Sequence, residues 1–111
     1  MSAPMDELFD LYAPAVPTAV LALDYLGRAL VLDGMADEMA VAEADMRLID
    51  DVWADLRPEL VNAGGDAEAA DYDASLAALR SDIEAAAAAA VIEHANVGLE
   101  IVDAMEAVFA P

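Results

Sequence analysis

The stretch MADEMAVAEADMRLIDDVWADLRPEL, residues 35–60, decides the fold. Its apolar positions Met35, Met39, Ala42, Met46, Ile49, Trp53, Leu56 and Leu60 step by 4, 3, 4, 3, 4, 3, 4. That is a sustained helical seam, the pattern by which one helix lies along another. Val41, Leu48 and Val52 widen the stripe, so the helix needs more than one neighbour. Asp37, Glu38, Glu43, Asp45, Asp50, Asp51, Asp55 and Glu59 take the remaining surface. Pro58 removes one backbone donor near the end and breaks the pattern only weakly, by kinking the last turn or starting a new one. Asn62-Ala-Gly-Gly-Asp66 is the strongest turn signal in the chain and ends the helix.

Outward from this segment the same reading continues in both directions. Residues 17–32 predict a helix opened by Pro17, apolar on nearly every side, and closed by Asp33-Gly34. A helix of that kind is expected to be buried. Met5, Leu8, Phe9 and Tyr12 suit a short amphipathic arm over residues 1–14, closed by Pro14 and Pro17. Downstream, Tyr72, Leu76, Leu79, Ile83, Ala86 and Ala90 carry a new seam, continued by His94, Val97, Ile101, Met105 and Val108. The two consecutive steps of four at Ala86, Ala90 and His94 are a stutter. A single helix over residues 66–110 would be about 67 Å long, far more than a compact domain with a radius of gyration of about 13 Å accommodates. Either Asn96-Val97-Gly98 breaks the helix or the chain is an elongated hairpin that dimerises; the break is the favoured expectation, giving helices near 17–32, 36–61, 67–94 and 98–109. The run Ala85–Ala90 has little bulk and should let a neighbouring backbone approach closely. The expectation is all-α: residues 1–111 as one up-and-down bundle of about four helices. A single copy does not obviously cover both apolar helices, so a homo-oligomer, most simply a dimer, or a stable protein partner is expected.

Twenty-three acidic residues face four basic ones, all arginine, for a formal charge of -19. The chain is nonetheless 60% apolar, so it has what a disordered acidic tail lacks. So much like charge strains a compact state, and salt relieves the strain by screening. The composition points to a protein adapted to a high-salt cytoplasm. An acidic surface repels nucleic acid and anionic membranes, so neither is expected as a partner. The N-terminus has no positive region of a secretory signal. The apolar stretch from Ala13 to Leu32 is interrupted by Asp24, Gly27 and Arg28, which argues against a membrane span.

Chemistry is sparse. With no cysteine and one histidine, neither a metal centre nor another cofactor is expected. Val91 stands where a Glu-x-x-His pair would need its glutamate, and Asp66, Asp71 and Asp73 lack the ligand alternation of a calcium loop. His94 stands four residues before Gly98, a spacing used in histidine phosphotransfer domains. Val97, however, occupies the place of a lysine, and only 17 residues follow His94. A core or interface histidine, hydrogen-bonded by Asn96 or an acidic neighbour, is the simpler expectation. The Asp-Ser-Leu of acyl carrier proteins is broken here by Ala74, and Ser75 reads as a helix cap or surface residue. No nucleophile–base pair or phosphate loop is present, so the chain reads as a non-enzyme. Met35, Met39, Met46, Trp53 and Leu56 are the candidate interface residues, whether as an adaptable groove or as plain packing. The leading function is a helical interaction protein: an adaptor, accessory subunit or regulator. Alternatives are an acidic mimic of nucleic acid that inhibits a basic protein, and phosphotransfer through His94.

Overall fold

The computed structural model describes residues 16–110. The expected arm over residues 1–14 lies outside them. Four helices follow one another: α1 Thr18–Met35, α2 Met39–Asn62, α3 Asp66–Glu84 and α4 Ala88–Phe109. There is no strand among the described residues.

Three connections, each of three residues, join the helices, and all are built alike. In the first, Glu38 N–H donates to the Asp33 carbonyl and Asp37 N–H to the Gly34 carbonyl. The pairs Gly65 to Leu60 and Gly64 to Val61 repeat this in the second, and Ala87 to Asp82 and Ala86 to Ile83 in the third. Each is a Schellman ending, which satisfies orphan carbonyls and needs one residue in the left-handed region. Those residues are Asp37 at φ 55°, Gly64 at φ 96° and Ala86 at φ 52°. The next helix then starts at once, with Ala42, Ala69 and Val91 donating to Glu38, Gly65 and Ala87. Links this short hold successive helices antiparallel.

The third connection corrects the expected boundaries. The chain turns at Ala85–Ala87, inside the alanine run, and α4 passes through Asn96, Val97 and Gly98 without a break. The turn resets the helical phase by one residue. The buried positions of α4 are Val91, Ala95, Gly98, Val102 and Met105, each one place away from the expected Ala90, His94, Val97 and Ile101 except at Met105.

α1 packs most extensively on α4 and next on α2; α3 packs on α4. The α2–α3 seam is much thinner, and α1 does not meet α3. Leu23, Leu30, Ile49, Leu56, Leu60, Leu76 and Met105 form the fully buried centre. Each contributes about 1.5–3 kcal/mol by leaving water. The α1–α4 seam is close because two glycines of α1 lie under two large side chains of α4. A Cβ on Gly27 would stand 2.7 Å from Leu99, and one on Gly34 would stand 2.7 Å from Ile92 and 3.2 Å from the Ala88 carbonyl oxygen. The alanine run thus does admit a close neighbour, at Ala88.

α1 is not buried all round, contrary to expectation. Val20, Leu23, Leu26 and Leu30 face inward, whereas Leu21, Tyr25, Leu32 and Met35 are exposed. A four-helix bundle covers only one face of each helix.

Candidate functional site

The methionine and tryptophan candidates separate once placed on the bundle. Met35 is exposed at the end of α1 and Met39 is half-buried. Met46, Trp53 and Leu56 belong to the bundle's own core. Trp53 spends its polar edge inside the chain: Nε1 donates to Asp73 Oδ1 at 2.8 Å. Its ring meets Tyr72 edge-on, with centroids 4.7 Å apart. Arg57 completes the clasp through Nε and Nη2, at 3.0 and 2.8 Å from Asp73 Oδ2. The Arg57 hydrogen bonds, aided by that from Trp53, hold the Asp73 carboxyl below the usual carboxylate range. Burial pushes the Tyr72 phenol up. These contacts bridge the thin α2–α3 seam, together with an ion pair between Arg80 and Asp50.

Above that seam opens a cleft of about 360 Å³, lined by Glu43, Met46, Arg47, Asp50, Arg80, Ile83 and Glu84. Arg47 pairs with Glu43 at 3.1 Å and Arg80 with Asp50. Both cations are engaged by carboxylates of the cleft itself, so neither is free to catch an anion.

His94 is half-exposed, and its Nδ1 lies 2.5 Å from Asp82 Oδ2. The partner is an acidic neighbour, as expected, rather than Asn96; it reaches across the α3–α4 connection. The hydrogen bond to Asp82 raises the His94 pKa above its ordinary value, with Asp82 and Glu93 adding charge attraction. Ser75 is buried, not a surface residue; its Oγ donates to the His94 carbonyl at 3.5 Å and lies beneath Gly98.

Sequence reasoning missed Asp33. It is buried at the end of α1, and its Oδ2 has no hydrogen-bond partner. Burial first, then the Asp45 carboxyl across the α1–α2 seam and the charge of Glu38, raise its pKa to about 7. Nothing in the heptad pattern separates Asp33 from an ordinary helix-ending aspartate. No group of three or more His, Asp or Glu suited to a metal ion occurs among the described residues. No helix there is long and apolar enough to cross a membrane.

One helix face of the bundle is exposed and apolar. Leu21, Tyr25, Leu32 and Met35 are 55%, 74%, 63% and 69% exposed, and all lie on the outer side of α1. With Arg28 they occupy positions 21, 25, 28, 32 and 35, a second seam opposite the buried one. Val41 and Leu48 on α2 are also exposed. The only charges on the outward side of α1 are Asp24 and Arg28, which pair with each other at 3.2 Å.

Compared with known proteins, the chain matches no family model, no curated protein and no solved structure.

Proposed function

We propose that the protein is a non-enzymatic helical interaction protein, an adaptor or accessory subunit, that binds through the outer face of α1 in concentrated salt. One observation carries this reading: four large apolar side chains at helical-seam spacing stand exposed on a single helix face. Contiguous exposed apolar surface marks interaction sites, whereas single exposed apolar residues need no explanation. The remaining charged groups support a binding role over a chemical one. The arginines of the cleft are tied to its carboxylates, and Trp53 serves the core.

The acid shell supports a salt-rich setting. Four arginines leave most of the 23 carboxylates without a cation, so the folded state gains from screening. A nucleic-acid mimic would need its carboxylates concentrated on one face. Here they are spread over α2, α3 and α4, with six, six and four, and α1 carries two.

The test is photocrosslinking from position 32, with position 97 as the comparison, in the source cells at their own salt. Crosslinks at 32 that are absent at 97, and lost in the Tyr25→Glu variant, are expected. Equal labelling from both positions sinks the reading.

A further inference from the structure

We infer that the occupant of the α1 face is a second copy of the same chain, paired antiparallel across a two-fold axis. This rests on the reading of that face as a binding surface, and names what binds there.

The first ground is register. Outward positions 21, 25, 28, 32 and 35 step by 4, 3, 4, 3, so they alternate between the two seam positions of a heptad. In an antiparallel pair the two kinds of seam position meet in layers. With the axis between residues 26 and 27, Leu21 meets Leu32 of the partner subunit, and Tyr25 meets Arg28 of the partner subunit. The face is its own complement, as an isologous contact requires. Leucine layers lie outside two central layers in which a guanidinium covers a tyrosine ring, a favourable cation–π arrangement.

The second ground is charge. Two chains of -19 each repel, and α2, α3 and α4 carry sixteen acidic residues against two on α1. The outer side of α1 is the exception, since Asp24 and Arg28 neutralise each other. In the same register Asp24 of the partner subunit lies one residue along from the layer that holds Arg28. The arginine therefore keeps a carboxylate beside it when the faces close. A second copy meets least repulsion here, and apolar area is available on the same strip.

Salt separates this occupant from a basic partner helix. Flanking carboxylates push two copies apart, and that repulsion shortens in range from about 10 Å at 0.1 M to about 3 Å at 1 M salt. Self-association must therefore tighten with salt, whereas a basic partner held by the acidic flanks would loosen.

Sedimentation velocity of the full chain in 0.1 M and 2 M KCl tests the pairing, with Leu32→Glu, Tyr25→Glu and Val97→Glu compared. All three changed residues are exposed, so circular dichroism should show an unchanged helix content. The expected species at 2 M KCl is twice the 11.6 kDa chain mass. Its dissociation constant should fall at least about tenfold between the two salts. Leu32→Glu and Tyr25→Glu should be monomers at both salts, and Val97→Glu should dimerise as the parent does. A wild-type monomer throughout, a dimer that survives both α1 variants, or one that weakens with salt overturns the pairing. So does a monomer that dimerises only after residues 2–13 are deleted, because the N-terminal segment would then be the occupant. If no dimer forms but position 32 still crosslinks one distinct protein, the pairing fails while the binding-surface reading stands.

Discussion

α1 and α2 form one hairpin, and each gives a full face to the core, yet their outer faces differ. Exposed Val41 and Leu48 of α2 stand among many carboxylates, whereas α1 exposes four large apolar residues and one ion pair. α2 turns Glu43, Asp51, Asp55 and Glu59 to solvent; α1 turns Leu21, Tyr25, Leu32 and Met35. The inner faces differ too. α2 supplies bulk through Ile49, Trp53, Leu56 and Leu60, whereas α1 supplies two glycines over which Leu99 and Ile92 sit. A helix that needed only to fill its place in the bundle would look like α2, with one apolar stripe and a charged back. α1 has one apolar face more than four-helix packing uses. In a chain otherwise coated with carboxylates, that surplus separates folding requirements from surface requirements on a single helix.

The sharpest break of the comparison lies within α1. Leu30 is fully buried and Leu32, two residues on, is 63% exposed. Leu30→Ala should lower unfolding free energy by about 2–5 kcal/mol, as cavity-forming core truncations do. Chemical denaturation measures it directly, and a small loss would mean that the inner face is not the core face.

The α1–α2 seam gives the next largest effect. Asp33 has a folded-state pKa of about 7 against an ordinary 3.8, so the folded chain holds its proton more tightly than the unfolded one. Stability must therefore fall as pH rises from about 4 to about 7, and level off above that. Asp33→Asn removes the titration. It should be more stable than the parent by on the order of 1–3 kcal/mol at pH 8, with the gain vanishing near pH 4. Melting curves at the two pH values decide; an equal difference at both would place the Asp33 carboxylate in water.

The turns sharpen the picture further. Ala86 holds a left-handed φ of 52° in the same place that Gly64 fills in the second connection. Ala86→Gly should raise stability by about 0.5–1 kcal/mol, since glycine escapes the Cβ clash but gives up more chain entropy on folding. Destabilisation would show that the turn is not left-handed there. Smallest of all is Leu32→Ala, expected to move the unfolding free energy of the monomer by no more than about 0.5 kcal/mol.

How much of this was legible in the sequence depended on whether side-chain bulk or backbone conformation carried the signal. The Met39–Leu60 seam, the turn at Asn62–Asp66 and the end of α1 near Gly34 were readable because apolar spacing and glycine mark them. The third turn was not, because alanine is the strongest helix former and carries no turn signature. Its trace was the stutter around Ala86 and Ala90, a phase slip that marks a chain reversal as well as a bend. Gly98 drew the boundary instead. Its real use is to let Ser75 and Tyr72 of α3 approach α4, the other context in which a helix keeps a glycine. For the surface, the all-round hydrophobicity of α1 was plain, but which of its sides lacked a neighbour followed only from the arrangement of the four helices. Asp82 and His94, twelve residues apart, likewise needed the third turn before they could be seen to meet.

The most direct measurement of the account is the accessibility of α1 methyl groups to a neutral, soluble paramagnetic agent, read by NMR in 2 M KCl across protein concentrations. In dilute protein, Leu21, Leu32 and Met35 should broaden strongly while Leu23 and Leu30 do not. As concentration rises, Leu21 and Leu32 should become protected, and Val97 should remain accessible throughout. Leu21 and Leu32 shielded like Leu23 at every dilution, or exposed at every concentration, would contradict the claim that the outer face of α1 is a free surface that closes on a second copy.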